Sequence, residues 1–213
     1  MLWIIPAIIA SYLLGSIPTA YIFGRLLRGI DIRKFGSGNV GATNALRALG
    51  RGAGITVLLL DILKGFLAVV VLGGIFSVRV TLVSQEFLRL ILGVTCILGH
   101  NWTIFLGFKG GKGIAAALGV FIGLAVDIAG LRPVLLLLIL TWFAVFLVSR
   151  IVSLASLATA LALPWYLFLF KQSALLIWFG IILSLLAIWR HKSNLIRILQ
   201  GKEPRLQFKK PQP

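Results

Sequence analysis

Seven apolar runs separated by short basic breaks govern what this chain can fold into. They cover residues 2–24, 52–77, 87–108, 113–130, 133–148, 151–170 and 173–189. A helix needs about 20 mostly apolar residues to cross a bilayer, with a range of about 17–25. Hydrocarbon offers no water to backbone N–H and C=O groups, so spanning segments satisfy themselves as helices. The predicted fold is an all-α membrane protein, a seven-transmembrane-helix bundle. Composition agrees, since 60% of residues are hydrophobic and 12% charged, against about 25% charged in soluble domains. No polar stretch is long enough to fold alone. Residues 1–213 therefore read as one integral membrane domain with a basic tail over 190–213. His100 and Asn101 interrupt the third run, whose helix is expected to end near Gly99. Five spans are the alternative, if the third or fifth run lies in the interface.

Basic residues crowd the breaks on one side of these runs. Arg25, Arg28, Arg33, Lys34, Arg47, Arg51, Lys109, Lys112, Arg150, Arg190 and Lys192 share it, against Arg79, Arg89, Arg132 and Lys171 on the other. Positive charge marks the cytoplasmic side, so the N-terminus is expected outside and the C-terminus in the cytoplasm. Residues 1–10 carry no basic group, and Arg25 and Arg28 follow the first run, the order of an uncleaved first helix. The net charge of +16, from 21 basic and 5 acidic residues, suits anionic headgroups and anionic substrates. Scattering of those charges between spans argues against nucleic acid. Cys96 is alone, so no disulfide framework exists. Two histidines and five acids, none clustered, imply no metal and no cofactor.

The chemistry starts at Gly36-Ser37-Gly38-Asn39-Val40-Gly41-Ala42-Thr43-Asn44, a charge-free loop with Arg47 one turn on. Glycines allow positive φ and close backbone approach to a ligand. Successive amides in such a loop form an anion-binding hollow, to which Ser37, Asn39, Thr43 and Asn44 add side-chain bonds. The loop reads as a phosphate cradle at a membrane surface. It matches G-x-G-x-x-G, yet no strand precedes it and Asp61 lies in an apolar run, which excludes a dinucleotide fold. Lys109-Gly110-Gly111-Lys112-Gly113 fails the P-loop template, because Leu106 and Gly113 occupy its glycine and Ser/Thr positions. It is either a second anion-binding turn or a positive anchor for headgroups. His191, Asn194 and Arg197 fall three apart, on one helical face, and Ser153 with Ser156 forms another pair beside Arg150. Asp61 and Lys64 share a face inside the second run and are expected to neutralise each other. With the topology above, the cradle, the Gly-Gly-Lys turn and the later clusters all meet the cytoplasmic surface, an arrangement for at least one phosphate.

Three segments together resemble one family, the bacterial acyl-phosphate:glycerol-3-phosphate acyltransferases. They are Gly36 to Asn44 with Arg47, then Gly99-His100 with Phe108-Lys-Gly-Gly-Lys-Gly113, then His191-Lys-Ser-Asn194 with Arg197 and Gly201-Lys-Glu203. Leu14-Gly-Ser-Ile-Pro18, Asp31-Ile-Arg33, Asp61-Ile-Leu-Lys-Gly65 and Ser153-Leu-Ala-Ser156 add smaller likenesses. Departures fall at Asn101-Trp-Thr103, Ala116, Leu195 and Lys202, where the family often carries other residues. The resemblance implies an inner-membrane enzyme that transfers a fatty acyl group from acyl phosphate to the 1-hydroxyl of glycerol 3-phosphate. Its products are lysophosphatidic acid and phosphate, the first acylation of phospholipid synthesis. The implied donor-phosphate ligands are Gly36, Ser37, Gly38, Asn39, Gly41, Thr43 and Asn44. Arg47, Lys112, His191 and Asn194 would hold glycerol 3-phosphate, supported by Gly110, Gly111, Ser153 and Ser156. His191 and a substrate phosphate oxygen are alternative proton acceptors. An upstream enzyme that forms acyl phosphate is the implied protein partner.

Two other classes fit less well. Acyl-CoA-dependent acyltransferases often use H-x-x-x-x-D, but Phe105 and Ile196 stand five residues after His100 and His191. Anion transporters place charge near the bilayer midplane on broken, repeated helices. Here charge gathers at one rim and no repeat is evident.

Overall fold

The computed structural model describes residues 3–206, which contain helices and connecting loops but no strand. The tail lysines Lys209 and Lys210 lie outside the described residues. The helices are α1 (Ile4–Ser16), α2 (Thr19–Arg28), α3 (Ala42–Leu49), α4 (Arg51–Leu67), α5 (Gly73–Ser77), α6 (Gln85–Asn101), α7 (Ile114–Asp127), α8 (Leu131–Ser149), α9 (Val152–Leu169), α10 (Ala174–Arg190) and α11 (Lys192–Leu199). A π-helical stretch, Ala68–Leu72, joins α4 to α5.

Five stretches are long and apolar enough to cross a bilayer: Ile4–Arg28, Arg51–Ser77, Gln85–Leu106, Leu131–Ser149 and Val152–Leu169. The pair α10 and α11, bent by 63°, makes a sixth if counted as one. The seven runs thus give five or six spans by length and apolarity among the described residues. The difference lies in the fourth run, where α7 has 14 residues. At 1.5 Å per residue it reaches about 21 Å, short of a hydrocarbon core of about 30 Å. The first run is broken as well. Pro18 lacks an N–H and holds Ile17 extended, which ends α1 and starts α2.

The backbone divides into two compact units, one running to Leu124 and the other starting at Ala125. In the first, α1 and α6 pack backbone to backbone. A Cβ on Gly15 would collide with the Cys96 carbonyl, and one on Gly99 with the Tyr12 carbonyl. Small residues at such crossings let membrane helices approach closely. Ser11 Oγ donates to Leu92 O at 2.6 Å and Thr103 Oγ1 donates to Ser16 O, so hydroxyls reinforce the contact. A core of Ala20, Ile32, Val40, Ala45, Leu49, Val57 and Leu106 lies beneath the 29–41 segment and α3. In the second unit α9 packs against α8 and α10. Val148 is 90% exposed and Trp165 72%, the outward apolar surface that lipid covers.

Candidate functional site

The cradle loop is built around one side chain. Asn44, the third residue of α3, is 2% exposed. Its Oδ1 accepts from Ser37 N at 2.9 Å, and its Nδ2 donates to Ile32 O at 3.2 Å and Phe35 O at 3.1 Å. Gly36, at φ +57°, passes directly over that amide, where a Cβ would overlap Oδ1. Three of the four bonds an amide can make are therefore spent on the loop itself. Asn44, read above as a ligand, is its brace. Ser37 N, held by Asn44, and Gly38 N, which donates to Phe35 O at 3.0 Å, are likewise committed, so the expected run of available amides is shorter by two. The Ser37 side chain is exposed, as a tight glycine turn predicts. Gly41 caps α3, with Asn39 Oδ1 beside it, and Thr43 and Arg47 are half-buried on that helix.

A cavity of about 370 Å³ opens beside this loop, lined by Asp31, Arg33, Lys34, Gly38, Val40, Lys109 and Gly110. Three cations against one carboxylate leave it positive. The Arg33 guanidinium closes on Asp31, Nη2 to Oδ2 at 2.7 Å and Nε to Oδ1 at 3.0 Å. That bond holds the Asp31 carboxyl down at about 2, below the ordinary carboxylate range. Asp31 also caps the short turn Ile32–Lys34 by accepting from Arg33 N. It is thereby engaged as a rim anchor, leaving Lys34 and Lys109 as exposed cations on the wall.

The Gly-Gly-Lys turn folds back on the end of α6. Gly111 N donates to His100 O at 2.9 Å and Gly110 N to Asn101 O at 3.2 Å. Both glycines are buried and Lys112 is half-buried, so this turn is a built part of the interior and more than a headgroup anchor. Behind it lies a cluster that sequence reasoning recognised only in part. Asp61 and Lys64 do pair, at 2.9 Å, and both are buried. His100 Nδ1 stands 3.6 Å from the same Asp61 Oδ1, and Thr19 Oγ1 donates to it at 2.7 Å. No spacing rule links positions 61 and 100. The signal that could have flagged them is their type, ionisable residues within apolar runs.

The second unit gathers its own polar group around Glu203. Ser153 Oγ donates to Oε1 at 2.7 Å, Asn194 Nδ2 donates to the same oxygen, and Arg197 Nε donates to Oε2 at 2.7 Å. Three donors and the adjacent guanidinium hold the Glu203 carboxyl below its ordinary value against the opposing effect of burial. Ser153 and Asn194 are buried beside it. Ser156 behaves differently. Its hydroxyl donates to Val152 O at 2.9 Å on its own helix and receives Trp142 Nε1 at 3.4 Å, so its proton is spent on backbone. His191 sits at the bend between α10 and α11, 3% exposed, with Nδ1 2.8 Å from Ala187 O. A carbonyl can only accept, so Nδ1 carries a proton in this arrangement.

Fold and sites define a class, an integral membrane protein of several helical spans with a basic, phosphate-sized cavity beside a glycine cradle. The sequence pattern of one family, glycerol-3-phosphate acyltransferase, matches residues 5–201. A glycerol-3-phosphate acyltransferase of Thermosynechococcus vestitus is 43% identical over 203 residues, covering 92% of both chains. One from Halalkalibacterium halodurans is 42% identical over 207 residues, covering 95% of both. The crystal structure of PlsY, an integral membrane glycerol 3-phosphate acyltransferase in its glycerol 3-phosphate form, superposes with a TM-score of 0.83. It is 37% identical, with 96% of each chain covered. This chain belongs to the glycerol-3-phosphate acyltransferase family.

Proposed function

We propose that this acyltransferase takes its acyl group from acyl phosphate and delivers it to the 1-hydroxyl of glycerol 3-phosphate. The product is lysophosphatidic acid, in the first acylation of phospholipid synthesis. A solved relative, PlsY, is known in a glycerol 3-phosphate form and a lysophosphatidic acid form. The observation that carries the reading is the positive cavity between the cradle loop and Lys109, with room for a phosphate and no carboxylate other than one already bound to Arg33.

Acyl phosphate is a mixed anhydride, so transfer needs positioning and charge stabilisation, with no covalent enzyme intermediate. The hydroxyl oxygen bonds to the acyl carbon as the C–O bond to phosphate breaks, and the electron pair leaves on phosphate. Ser37 and the cradle's glycine turn stabilise that departing anion. Arg47 and Lys112 hold the phosphate of glycerol 3-phosphate, and His191, Asn194 and Ser153 serve the same substrate. The hydroxyl proton passes to His191 or to a phosphate oxygen, whose second pKa is near 6. The apolar surface admits the acyl chain from the bilayer.

Purified protein with acyl phosphate and labelled glycerol 3-phosphate forms lysophosphatidic acid, and acyl-CoA in its place does not. Comparable rates with acyl-CoA overturn the donor assignment. Activity persists in EDTA, because the acidic residues form no cluster to hold a metal. The proposed topology has the N-terminus outside, with the active site and tail in the cytoplasm; it counts seven crossings, of which α7 is a short one that the bilayer meets by thinning locally. Single cysteines at Ser37, Lys109 and Ser193, all exposed positions, in a Cys96→Ala background resist an impermeant thiol reagent added outside intact cells. Labelling of any of them there refutes this topology.

A further inference from the structure

The buried charges of the first unit take no part in the transfer just described. Asp61, Lys64 and His100 are 1%, 4% and 7% exposed, inside helices α4 and α6. Burying a carboxylate and an ammonium costs free energy that their mutual attraction only partly returns, and apolar residues of similar volume often pack at least as well. Ionisable groups at such positions serve function more often than stability.

Their arrangement is directional. Lys64 Nζ donates to Ile17 O at 3.1 Å, at the break Pro18 makes, and thereby anchors one end. Asp61 Oδ1 then accepts from Thr19 Oγ1 and pairs with Lys64 Nζ, and His100 Nδ1 stands 3.6 Å from the same oxygen. The far side of the imidazole lies against Gly111, where a Cβ would overlap Nε2. The His100 carbonyl holds Gly111 N. Lys64, His100, Gly110 and Gly111 share a cavity of about 10 Å³ with Val40 of the cradle loop, about one water's occupied volume.

We propose that Asp61 and His100 form a positioning pair that fixes the Gly110–Gly111 turn and, through it, Lys112. Asp61 sets the ring's tilt, and the ring backs the turn from below. Lys112 is then delivered to its phosphate in one conformation. The inference rests on the reading that Lys112 holds the phosphate of glycerol 3-phosphate.

A double-mutant cycle tests it. KM for glycerol 3-phosphate and kcat are measured at fixed acyl phosphate for wild type, His100→Ala, Lys112→Ala and the double variant. Each single change raises KM by about tenfold, as expected for residues in one coupled network. The double variant is no worse than Lys112→Ala alone, because the pair acts only through that lysine. Asp61→Asn raises the same KM and leaves the donor KM unchanged. Effects that multiply, to about a hundredfold, overturn the proposal, and so does a fall in kcat at constant KM. If His100→Ala does not assemble, His100→Asn and Asp61→Asn run the same cycle. An unchanged KM in Lys112→Ala overturns the phosphate assignment and this proposal with it, whereas multiplied effects overturn the positioning pair alone.

Discussion

The cradle loop of the first unit and the Glu203 group of the second are both built on a single buried brace, and the braces are of opposite kinds. Asn44 is neutral and offers two donors and an acceptor, which it spends on backbone. Glu203 is a carboxylate that only accepts, and it takes side chains: Ser153, Asn194 and Arg197. A neutral amide shapes a loop without weakening its attraction for an anion. A carboxylate cancels the charge of its arginine and turns neighbouring donors inward. The first arrangement suits a loop that meets an anion. The second suits holding hydroxyls and amides in fixed orientation.

A charge placed in the neutral brace strikes that distinction hardest. Asn44→Asp can still accept from Ser37 N, but it loses both donors and turns an anionic oxygen toward the Ile32 and Phe35 carbonyls. An uncompensated buried charge costs about 3–5 kcal/mol, so turnover falls by about 10³-fold or more. Phosphate release from acyl phosphate in the purified variant measures it. A variant with near-normal turnover would mean the cradle tolerates negative charge and holds no anion.

Ser37→Ala follows, with a loss of about 10²–10³-fold, the size of deleting one oxyanion-hole donor. Ser37 is predicted to bind phosphate and not to attack. A nucleophilic serine needs an adjacent base oriented by a third group. Asp31 is the acid nearest Ser37 in sequence, and the structure adds Asp61 beside His100. The Nε2 side of that ring meets the Gly111 backbone, however, and Asp31 is engaged by Arg33. Intact mass after acid quench, with acyl phosphate alone, shows no acyl adduct. An adduct on Ser37 that turns over with glycerol 3-phosphate establishes a ping-pong route instead.

What could be read from the sequence divides along the same line. Glycine spacing and absence of charge disclosed a tight loop over residues 36–44, because those features act locally. Whether Asn44 faces a ligand or its own loop depends on where Ile32 and Phe35 point, which only the fold decides. Asp61 and Lys64 pair as helical spacing requires, but His100 joins them through the packing of α1, α4 and α6. Apolar runs identified the membrane class and five spans. They overstated the fourth, because an apolar run continues through the turn at Gly113 and past Asp127 whereas the helix does not. Hydroxyls were ambiguous in the same way: Ser153 reaches a side chain and Ser156 its own backbone.

Glu203→Gln is the milder test of the charged brace. The amide keeps an acceptor for Ser153 or Asn194 but loses the ionic bond to Arg197. Hydrogen bonds to charged groups are worth about 1.5–3 kcal/mol, so an effect of about tenfold on kcat/KM for glycerol 3-phosphate is expected. Loss equal to that of Asn44→Asp would erase the distinction between the two braces.

The smallest effect concerns pH, and it separates the braces most cleanly. Glu203 has its carboxyl lowered in the folded protein, chiefly by the bonds from Ser153, Asn194 and Arg197 working against burial. A lowered folded value means its stabilisation is complete above the unfolded value, about 4.5. It declines as pH falls through that value toward the lower folded one. Between pH 7 and 5 the unfolding temperature of wild type in detergent therefore exceeds that of Glu203→Gln by a constant margin. From pH 5 to 3 the margin narrows, because protonation removes from wild type what the substitution removed already. Asp31 titrates near 2 and is shared by both proteins, so it cancels from the difference. Asn44 has no proton to gain, and the deficit of Asn44→Ala stays level across the same range. A Glu203→Gln margin that also stays level to pH 3 would show that the carboxylate acts through shape alone, as the amide does.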